Sequence, residues 1–307
     1  MNLLAPINSL ESCKAQIEAG ADELYVGLAV ESLKQLHFSA RTQKYNNISI
    51  MPSKAELKEI VEYAHDKNVI VSLTANISYV TDYEKYGVNL EKQYIQYVLD
   101  GVDCKVDNVI ISDIGLIDKI VKMMLPIRVH SSTILDTNNL EQILFLKDLG
   151  VKRAVMSYQI GMHDLEEIMA QKPMEIEIFG YGGCSFSAYC NLGHGLDWGI
   201  PCKNVYCQDN CTESSNLLDS TRGCSLCSIW DLNDLGVQCL KIIGRELYYK
   251  QVTPLTKLYK EAIVLSQNIT REEFDEQITK LVPAWYKKMV CRKNQCKYKN
   301  HAEDYYI

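Results

Sequence analysis

The sequence lacks the short motifs that mark the common enzyme classes. It contains no Gly-x-Ser-x-Gly nucleophile turn, no His-Glu-x-x-His zinc helix and no phosphate-binding P-loop. No Gly-x-Gly-x-x-Gly follows an early strand, so a dinucleotide-binding fold lacks its usual fingerprint. The common hydrolase machineries and the dinucleotide-binding fold therefore have no visible signature.

Long apolar runs are also missing. No stretch approaches the roughly 20 apolar residues that span a bilayer. The start, Met-Asn-Leu-Leu-Ala-Pro, has neither the basic region nor the apolar stretch of a signal peptide. We therefore expect a cytoplasmic protein without a membrane span. In that compartment disulfides are rare, and clustered cysteines more often bind metal or react.

The charge balance is acidic, with one basic exception. The net charge of −7 argues against a surface that coats nucleic acid generally, although it permits a local basic site. A basic patch lies near the end of the sequence. It comprises Lys287, Lys288, Arg292, Lys293, Lys297 and Lys299, with Tyr286 and Tyr298 interleaved. Such a patch is typical of a solvated tail, and binding of phosphate is the alternative.

Cysteine is abundant and concentrated in one segment, residues 184–227. Seven of the 12 cysteines fall there, namely Cys184, Cys190, Cys202, Cys207, Cys211, Cys224 and Cys227. Four thiolates can hold zinc tetrahedrally or an iron–sulfur cluster. A zinc ribbon built from Cys207, Cys211, Cys224 and Cys227 is one interpretation, and it leaves the first two cysteines without a role. A cluster tolerates irregular spacing, so the sequence favours it. The isolated Cys13, Cys104 and Cys239 are expected to be buried.

Eight apolar runs, each followed by a helical pattern, indicate the fold. They occupy residues 3–5, 23–27, 69–73, 108–112, 127–130, 153–157, 175–179 and 239–243. Near-continuous apolar runs suit strands of a parallel sheet that is buried on both faces. Eight such units predict an α/β fold, a TIM-type (β/α)8 barrel, with a doubly wound open sheet as the alternative.

The barrel prediction divides the chain into two parts. Residues 1–246 form the barrel, including the Cys-rich insertion 184–227 after strand seven. Residues 247–307 form a helical C-terminal extension with the basic tail.

Active sites of such barrels lie at the C-terminal ends of the strands. His130 and Ser131 come at the end of strand five, Arg41 follows strand two and Arg245 follows strand eight. We expect His130 to act as a base or substrate contact, or else to be a structural histidine. The insertion follows strand seven, so it lies over the same mouth.

Two of these residues form a candidate carboxylate clamp. A barrel of this order places strands one, two and eight side by side, so Arg41 and Arg245 share one side of the mouth. Arginine offers a bidentate fork to a carboxylate. The alternative is that Arg245 pairs with Glu23 or Glu246 and ties the rim of the barrel.

Several segments, in order, resemble the collagenase-like protease family, which is peptidase family 32 of unassigned type. They are Glu-Ala-Gly-Ala-Asp-Glu-Leu-Tyr-Val-Gly at 18–27, Phe-Ser-Ala-Arg at 38–41, Val-His-Ser-Ser-Thr at 129–133 and Leu-Lys-Ile-Ile-Gly-Arg at 240–245. The resemblance covers roughly residues 1–246. The family's usual His-Gly-Ala-Leu-Cys after strand seven is here Gly-Tyr-Gly-Gly-Cys, which ends at Cys184.

The resemblance implies a metal centre and its ligands. By position in the family pattern, the ligands of a 4Fe-4S cluster are Cys184, Cys190, Cys207 and Cys224. Cys211 and Cys227 are reserves, because other members use a cysteine four positions after the third ligand.

The resemblance also implies an activity. Better-understood members resemble oxygen-independent hydroxylases that act on RNA bases or quinone precursors, with prephenate implicated as oxygen donor. The older view of the family is that of a peptidase. A third interpretation is a zinc-stabilised or cluster-stabilised partner subunit without catalysis of its own, since some short members work in pairs. The expected partners are thus a small-molecule or RNA substrate, and either a second member of the family or a further copy of the chain.

Overall fold

The computed structural model describes most of the chain outside the cysteine-rich insertion. The described residues are 1–30, 38–39, 44–45, 48–49, 51–77, 89–182, 223–245, 247–291 and 296–298. Within these ranges, no helix is long and apolar enough to cross a bilayer.

Ten strands are described, and eight of them close a parallel barrel. The strands are β1 (Asn2–Pro6), β2 (Glu23–Val26), β3 (Lys44–Tyr45), β4 (Ile48–Ser49), β5 (Ile70–Ala75), β6 (Asn108–Ile111), β7 (Arg128–Ser131), β8 (Arg153–Val155), β9 (Glu175–Tyr181) and β10 (Cys239–Ile242). The barrel order is β1-β10-β9-β8-β7-β6-β5-β2, and β3 and β4 form a separate antiparallel pair. The predicted (β/α)8 barrel is therefore confirmed. Strands one, two and eight of the barrel are neighbours, as predicted, because β1 pairs with both β2 and β10.

Helices surround the barrel and follow its strands. They are α1 (Leu10–Glu18), α2 (Lys54–Asp66), α3 (Leu90–Asp103), α4 (Ile114–Lys122), α5 (Leu140–Asp148), α6 (Met162–Ala170), α7 (Ile229–Asp234), α8 (Tyr249–Ser266), α9 (Arg271–Leu281) and α10 (Ala284–Met289). Polar N-caps begin many of them, since the side chains of Ser9, Ser53 and Asn139 each accept a backbone N–H from the first turn. Such a cap contributes about 1 kcal/mol.

Helix α8 belongs to the outer ring of the barrel. It packs against β1 and α1, and Lys260 on it binds Asp22 at 2.7 Å, just before β2. The first helix beyond residue 246 is thus held by the barrel itself. The division of the chain at that residue remains a prediction.

Apolar side chains fill both sides of the strands. Two large clusters of buried apolar side chains pack the strands and helices together. A small cluster of Leu4, Tyr25, Ile110 and Cys239 lies apart from them. Cys13, Cys104 and Cys239 are buried, as predicted.

A buried ion network crosses the barrel. Arg153 on β8 binds both carboxylate oxygens of Glu23 on β2, at 2.7 and 2.9 Å, and lies 3.4 Å from Glu177 on β9. Lys241 on β10 binds the other oxygen of Glu177 at 3.0 Å. Burial by itself raises the pKa of Glu23, but the hydrogen bonds and charge of Arg153 outweigh burial, so that pKa lies below its usual value. Two cations thus compensate two carboxylates where water is excluded.

Removing the central guanidinium should destabilise the fold strongly. Arg153→Met leaves Glu23 without its bidentate partner in the interior, and breaking a buried ion pair costs about 3–5 kcal/mol. The free energy of unfolding from urea titration measures this loss. Lys54→Met is the matched control, because Lys54 binds Asp100 and Asp103 at the surface and such pairs contribute less than about 1 kcal/mol. Equal losses in the two variants would contradict the role given to the network.

Candidate functional site

Arg245 lies at the C-terminal mouth of the barrel and cross-links its rim. One terminal nitrogen of its buried guanidinium donates to the Thr74 hydroxyl on β5, and the other donates to the Ser39 carbonyl oxygen at 3.0 Å. Lys241 Nζ and the Arg245 guanidinium carbon lie 4.4 and 5.5 Å from the ring centroid of Tyr25. The mouth therefore holds two cations around one aromatic ring.

The sequence predicts two roles for Arg245, a carboxylate clamp with Arg41 or a pairing with Glu23 or Glu246. The predicted pairing with Glu23 is wrong, because Glu23 binds Arg153 and Asn2 instead. The second predicted partner, Glu246, lies outside the described residues, as does Arg41, the other half of the clamp. The clamp thus remains a prediction.

His130 and Ser131 are consecutive residues of β7, so their side chains point to opposite faces of the barrel wall. Both are fully buried. The Ser131 hydroxyl accepts the backbone N–H of Val155 at 3.2 Å. Neither ring nitrogen of His130 has a hydrogen-bond partner among the described residues. The structure therefore does not bring these two candidates together as nucleophile and base.

The electrostatic surroundings keep His130 neutral. Burial, and then the positive charges of Arg153, Arg128 and Lys241, lower its pKa well below the usual 6.5. A neutral imidazole offers one donor and one acceptor. His130 is thus a buried polar group beside the ion network.

The cysteine-rich insertion is attached to the rim by a glycine-rich turn after β9. Gly180 faces Leu240 so closely that a Cβ there would lie 2.7 Å from Leu240 Cγ. Gly182 has φ +76°, a left-handed conformation that favours glycine. The Gly182 N–H donates to the Gly223 carbonyl oxygen at 3.0 Å. The insertion therefore leaves the barrel and returns to it at a single point of the mouth.

Cys224 follows this closure and is the one predicted cluster ligand that the structure describes. Its sulfur is buried and accepts the Tyr286 hydroxyl at 3.1 Å. Burial raises the pKa of Cys224, while donors from Tyr286, the Leu226 backbone and Tyr259 oppose that rise and a charge on Cys291 adds to it. Burial outweighs these donors, so the free thiol is favoured without a bound cation, and a coordinated metal would deprotonate it.

Of the other predicted metal ligands and reserves, Cys227 alone lies within the described residues. Cys184, Cys190, Cys207 and the reserve Cys211 lie outside the described residues, whereas Cys227 is partly buried in the short 3₁₀ turn Leu226–Ser228. Within the described ranges, no three Cys, His, Asp or Glu side chains already lie close enough to hold a metal ion.

Of the six basic residues predicted to form a solvated tail, Lys287 and Lys288 are exposed and Lys297 is buried, whereas Arg292, Lys293 and Lys299 lie outside the described residues. Lys297 is buried, its Nζ lies 3.8 Å from the ring centroid of Tyr158, and it donates to the Tyr298 hydroxyl at 3.1 Å. Burial holds the pKa of Lys297 well below 10.5. Tyr286 and Tyr298 are buried too. The basic pattern of the sequence does not predict these contacts. The interleaved tyrosines indicate them, because an aromatic ring gains stability from burial that a solvated tail does not provide.

Three comparisons place the chain among known proteins. The model of Peptidase family U32 matches residues 8–301. The uncharacterized protease MJ0090 of Methanocaldococcus jannaschii is 27% identical over 292 residues, which cover 86% of this chain and 65% of the relative. The 23S rRNA 5-hydroxycytidine C2501 synthase of Escherichia coli is 23% identical over 279 residues, which cover 86% of this chain and 39% of the relative. The chain thus spans less than two thirds of each relative.

A solved structure agrees with the fold. The U32 peptidase Mk0906 aligns with a TM-score of 0.53 and 13% identity, over 80% of this chain and 93% of its own. At that identity the likeness supports the barrel alone.

The neutral state of His130 predicts a pH dependence of stability. Below about pH 6.5 the unfolded histidine binds a proton that the native one does not. Stability therefore rises with pH through this range, and one such group contributes about 1.4 kcal/mol per pH unit below that pKa. Replacing His130 with Gln should reduce the difference in unfolding free energy between pH 7.5 and 5.5 by about 1.4 kcal/mol.

Urea titrations at the two pH values measure this effect. His163→Gln is the control, because the His163 side chain is 78% exposed and is not removed from water as His130 is. An unaltered pH dependence in the His130 variant would show that the native imidazole titrates normally.

Proposed function

Because the chain belongs to peptidase family U32, we propose that it is an oxygen-independent hydroxylase that carries a 4Fe-4S cluster over the mouth of its barrel. The observation that carries this proposal is the closure of the insertion at the rim, where Gly182 bonds to Gly223. Catalysis in such barrels occurs at that face. Cysteines of an insertion tethered there are well placed for a reaction and poorly placed for a remote structural role.

The short distance along the chain from Gly182 to Cys184 supports a cluster at the mouth. Cys184 lies two residues beyond Gly182, and two residues of chain span at most about 7 Å. By their positions in the family pattern, we assign Cys184, Cys190 and Cys207 as three cluster ligands. The fourth is Cys224, with Cys211 and Cys227 as reserves. When bound, a cluster of this kind supplies one-electron redox chemistry at a potential that the surrounding hydrogen bonds set.

The described residues of the mouth suit an anionic oxygen donor. Arg245 brings positive charge to the ring of Tyr25, whereas the charge of Lys241 is compensated by Glu177. The guanidinium of Arg245 is held in place by Thr74 and Ser39, so binding an anion costs little further ordering. Prephenate, with its two carboxylates, is the donor that we propose for Arg41 and Arg245.

The hydroxylated substrate belongs to one of two chemical classes. The E. coli relative is named for hydroxycytidine in 23S rRNA, which favours an RNA base. An aromatic, quinone-type molecule is the second class. Both are compatible with a cytoplasmic enzyme, acting alone or with a partner of the same family.

The peptidase alternative finds no support in the described residues. Serine proteolysis requires a hydroxyl activated by a neighbouring base. Ser131 is instead bound to the backbone of Val155, and no described serine is hydrogen-bonded to a histidine. We therefore do not extend the activity in the archaeal relative's name to this chain.

Metal analysis tests the cluster. Protein purified anaerobically should contain about four iron and four sulfide per chain and show a broad visible absorption that dithionite bleaches. Single replacement of Cys184, Cys190 or Cys207 with alanine should remove most of the iron, because each supplies one ligand. Cys104→Ala is the control and should keep it, since Cys104 lies buried at the end of α3. Stoichiometric zinc without sulfide would contradict the proposal.

Calorimetry on cluster-loaded protein tests the donor site. Arg41→Ala and Arg245→Ala should each weaken prephenate binding by about 1.5–3 kcal/mol, the contribution of a hydrogen bond to a charged group. Iron content should not change. A lower melting temperature of the Arg245 variant with unchanged affinity would show that Arg245 only ties the rim together through Thr74 and Ser39.

A further inference from the structure

Positive charge is concentrated near the end of the chain, in a segment that the proposed reaction does not use. Residues 277–302 contain seven lysines and arginines and no aspartate or glutamate. The whole chain has 32 such cations and 39 carboxylates, so the remaining residues hold 25 cations against all 39 carboxylates. The positive charge is therefore segregated on an otherwise acidic protein, as it is where a protein meets a polyanion.

Helix α10 presents part of this charge on its outer face. At 3.6 residues per turn, successive positions are about 100° apart around the helix axis. Lys287, Ala284, Lys288 and Trp285 follow one another around the side opposite Tyr286. All four are exposed, whereas Tyr286 is buried. The outer face of α10 therefore carries two ammonium groups beside an indole ring.

The inner face of α10 fixes the helix at the rim of the mouth. The Tyr286 hydroxyl donates to the Cys224 sulfur at 3.1 Å. Cys224 in turn pairs with Tyr181, at the end of β9, in an isolated β-bridge where the insertion rejoins the barrel. A helix with its side chains is about 10–12 Å wide. The outer face therefore lies roughly one helix width from the rim.

The side chains of the outer face are available to a ligand. The Trp285 ring contacts the ring of Tyr286 in an edge arrangement, with centroids 5.5 Å apart, and 42% of Trp285 remains exposed. In the described part of the chain, no carboxylate forms an ion pair with Lys287 or Lys288. The indole is thus held in place while much of its surface stays open, beside two uncompensated charges.

We propose that the outer face of α10, formed by Trp285, Lys287 and Lys288, binds a single-stranded segment of RNA beside the mouth. Surfaces that bind single strands combine cations along the phosphates with aromatic rings on which bases stack. The inference rests on the proposed function in one respect, the RNA base as substrate. An enzyme that modifies a base needs that base outside a duplex stack, and this face favours unpaired bases at the rim.

The same face suits a lipid surface or an acidic protein less well. A helix that lies on a bilayer inserts an apolar face between the lipids, but the inner face of α10 is already occupied by the contact of Tyr286 with Cys224. An acidic protein would engage the two lysines and make no particular use of an exposed indole. Stacking on Trp285 is what distinguishes RNA from other polyanions.

The experiment measures the fluorescence anisotropy of a labelled single-stranded RNA of about 12 nucleotides, within the range of known single-strand sites. The purified chain is titrated at several salt concentrations. Each phosphate contact contributes about 0.7 to the slope of log affinity against log salt. Lys287→Gln combined with Lys288→Gln should therefore make that slope shallower by about 1.4. Trp285→Ala should weaken binding about five-fold or more at an unchanged slope, because stacking is lost and no charge is removed.

Matched variants control for net charge and for the loss of an exposed ring. Lys122→Gln combined with Lys152→Gln removes the same charge at the opposite end of the barrel, in the last turn of α4 and just before β8. Phe145→Ala removes an exposed ring from α5. Both should bind RNA as the unaltered chain does. Replacing Lys287 and Lys288 with arginine keeps the charge and should keep the slope.

Each outcome decides the inference or the proposed function. Unaltered affinity and slope in both the lysine and the tryptophan variants would overturn the RNA surface. Equal affinity for a duplex of the same length would overturn it too, as would equal competition by polyglutamate at the same charge. Predicted RNA binding by protein without iron or sulfide would support the surface and contradict the cluster, whereas a cluster without RNA binding would do the reverse.

Discussion

The ion pair between Arg153 and Glu23 is the constraint on which the barrel interior depends. Glu23 has no contact with solvent, so its charge requires a partner inside, and a guanidinium meets both carboxylate oxygens at once. Lys241 binds one carboxylate oxygen of the buried Glu177, and Arg153 lies 3.4 Å from the other. Burial, and then the charges of cations in this network, lower the pKa of His130 well below its usual value. The chemistry of the interior is thus fixed before any ligand binds.

The mouth is built on top of that network. Lys241 reaches from Glu177 to the ring of Tyr25, and Arg245 approaches the same ring from the loop after β10. The insertion closes at the rim beside them, and the C-terminal segment lies across it through Lys297. The redox cluster that we propose above this mouth suits an anionic oxygen donor.

The sequence predicted the fold better than the site, for physical reasons. Buried parallel strands appear as apolar runs, so all eight could be located, and their order followed from barrel topology. Ion pairs do not appear in that way: Glu23 seemed available to Arg245, but the carboxylate is buried on β2 within reach of Arg153, 130 residues away. Likewise, the charge pattern places Lys297 in a basic tail, because a run of charges does not indicate which lysine the fold will bury.

The cysteines show the same limit. Spacing alone groups Cys224 with the insertion, since its nearest neighbours in sequence are there. The contacts that join Cys224 to Cys296 and Tyr286 cross more than 60 residues and depend on α8 to α10 returning the chain to the mouth. Only the folded arrangement reveals them.

Anomalous diffraction from anaerobically grown crystals, recorded at the iron and zinc edges, tests the central claim most directly. We predict an iron peak over the barrel mouth, bonded to Cys184, Cys190 and Cys207. A mouth without iron, or a zinc peak in its place, would contradict the proposal.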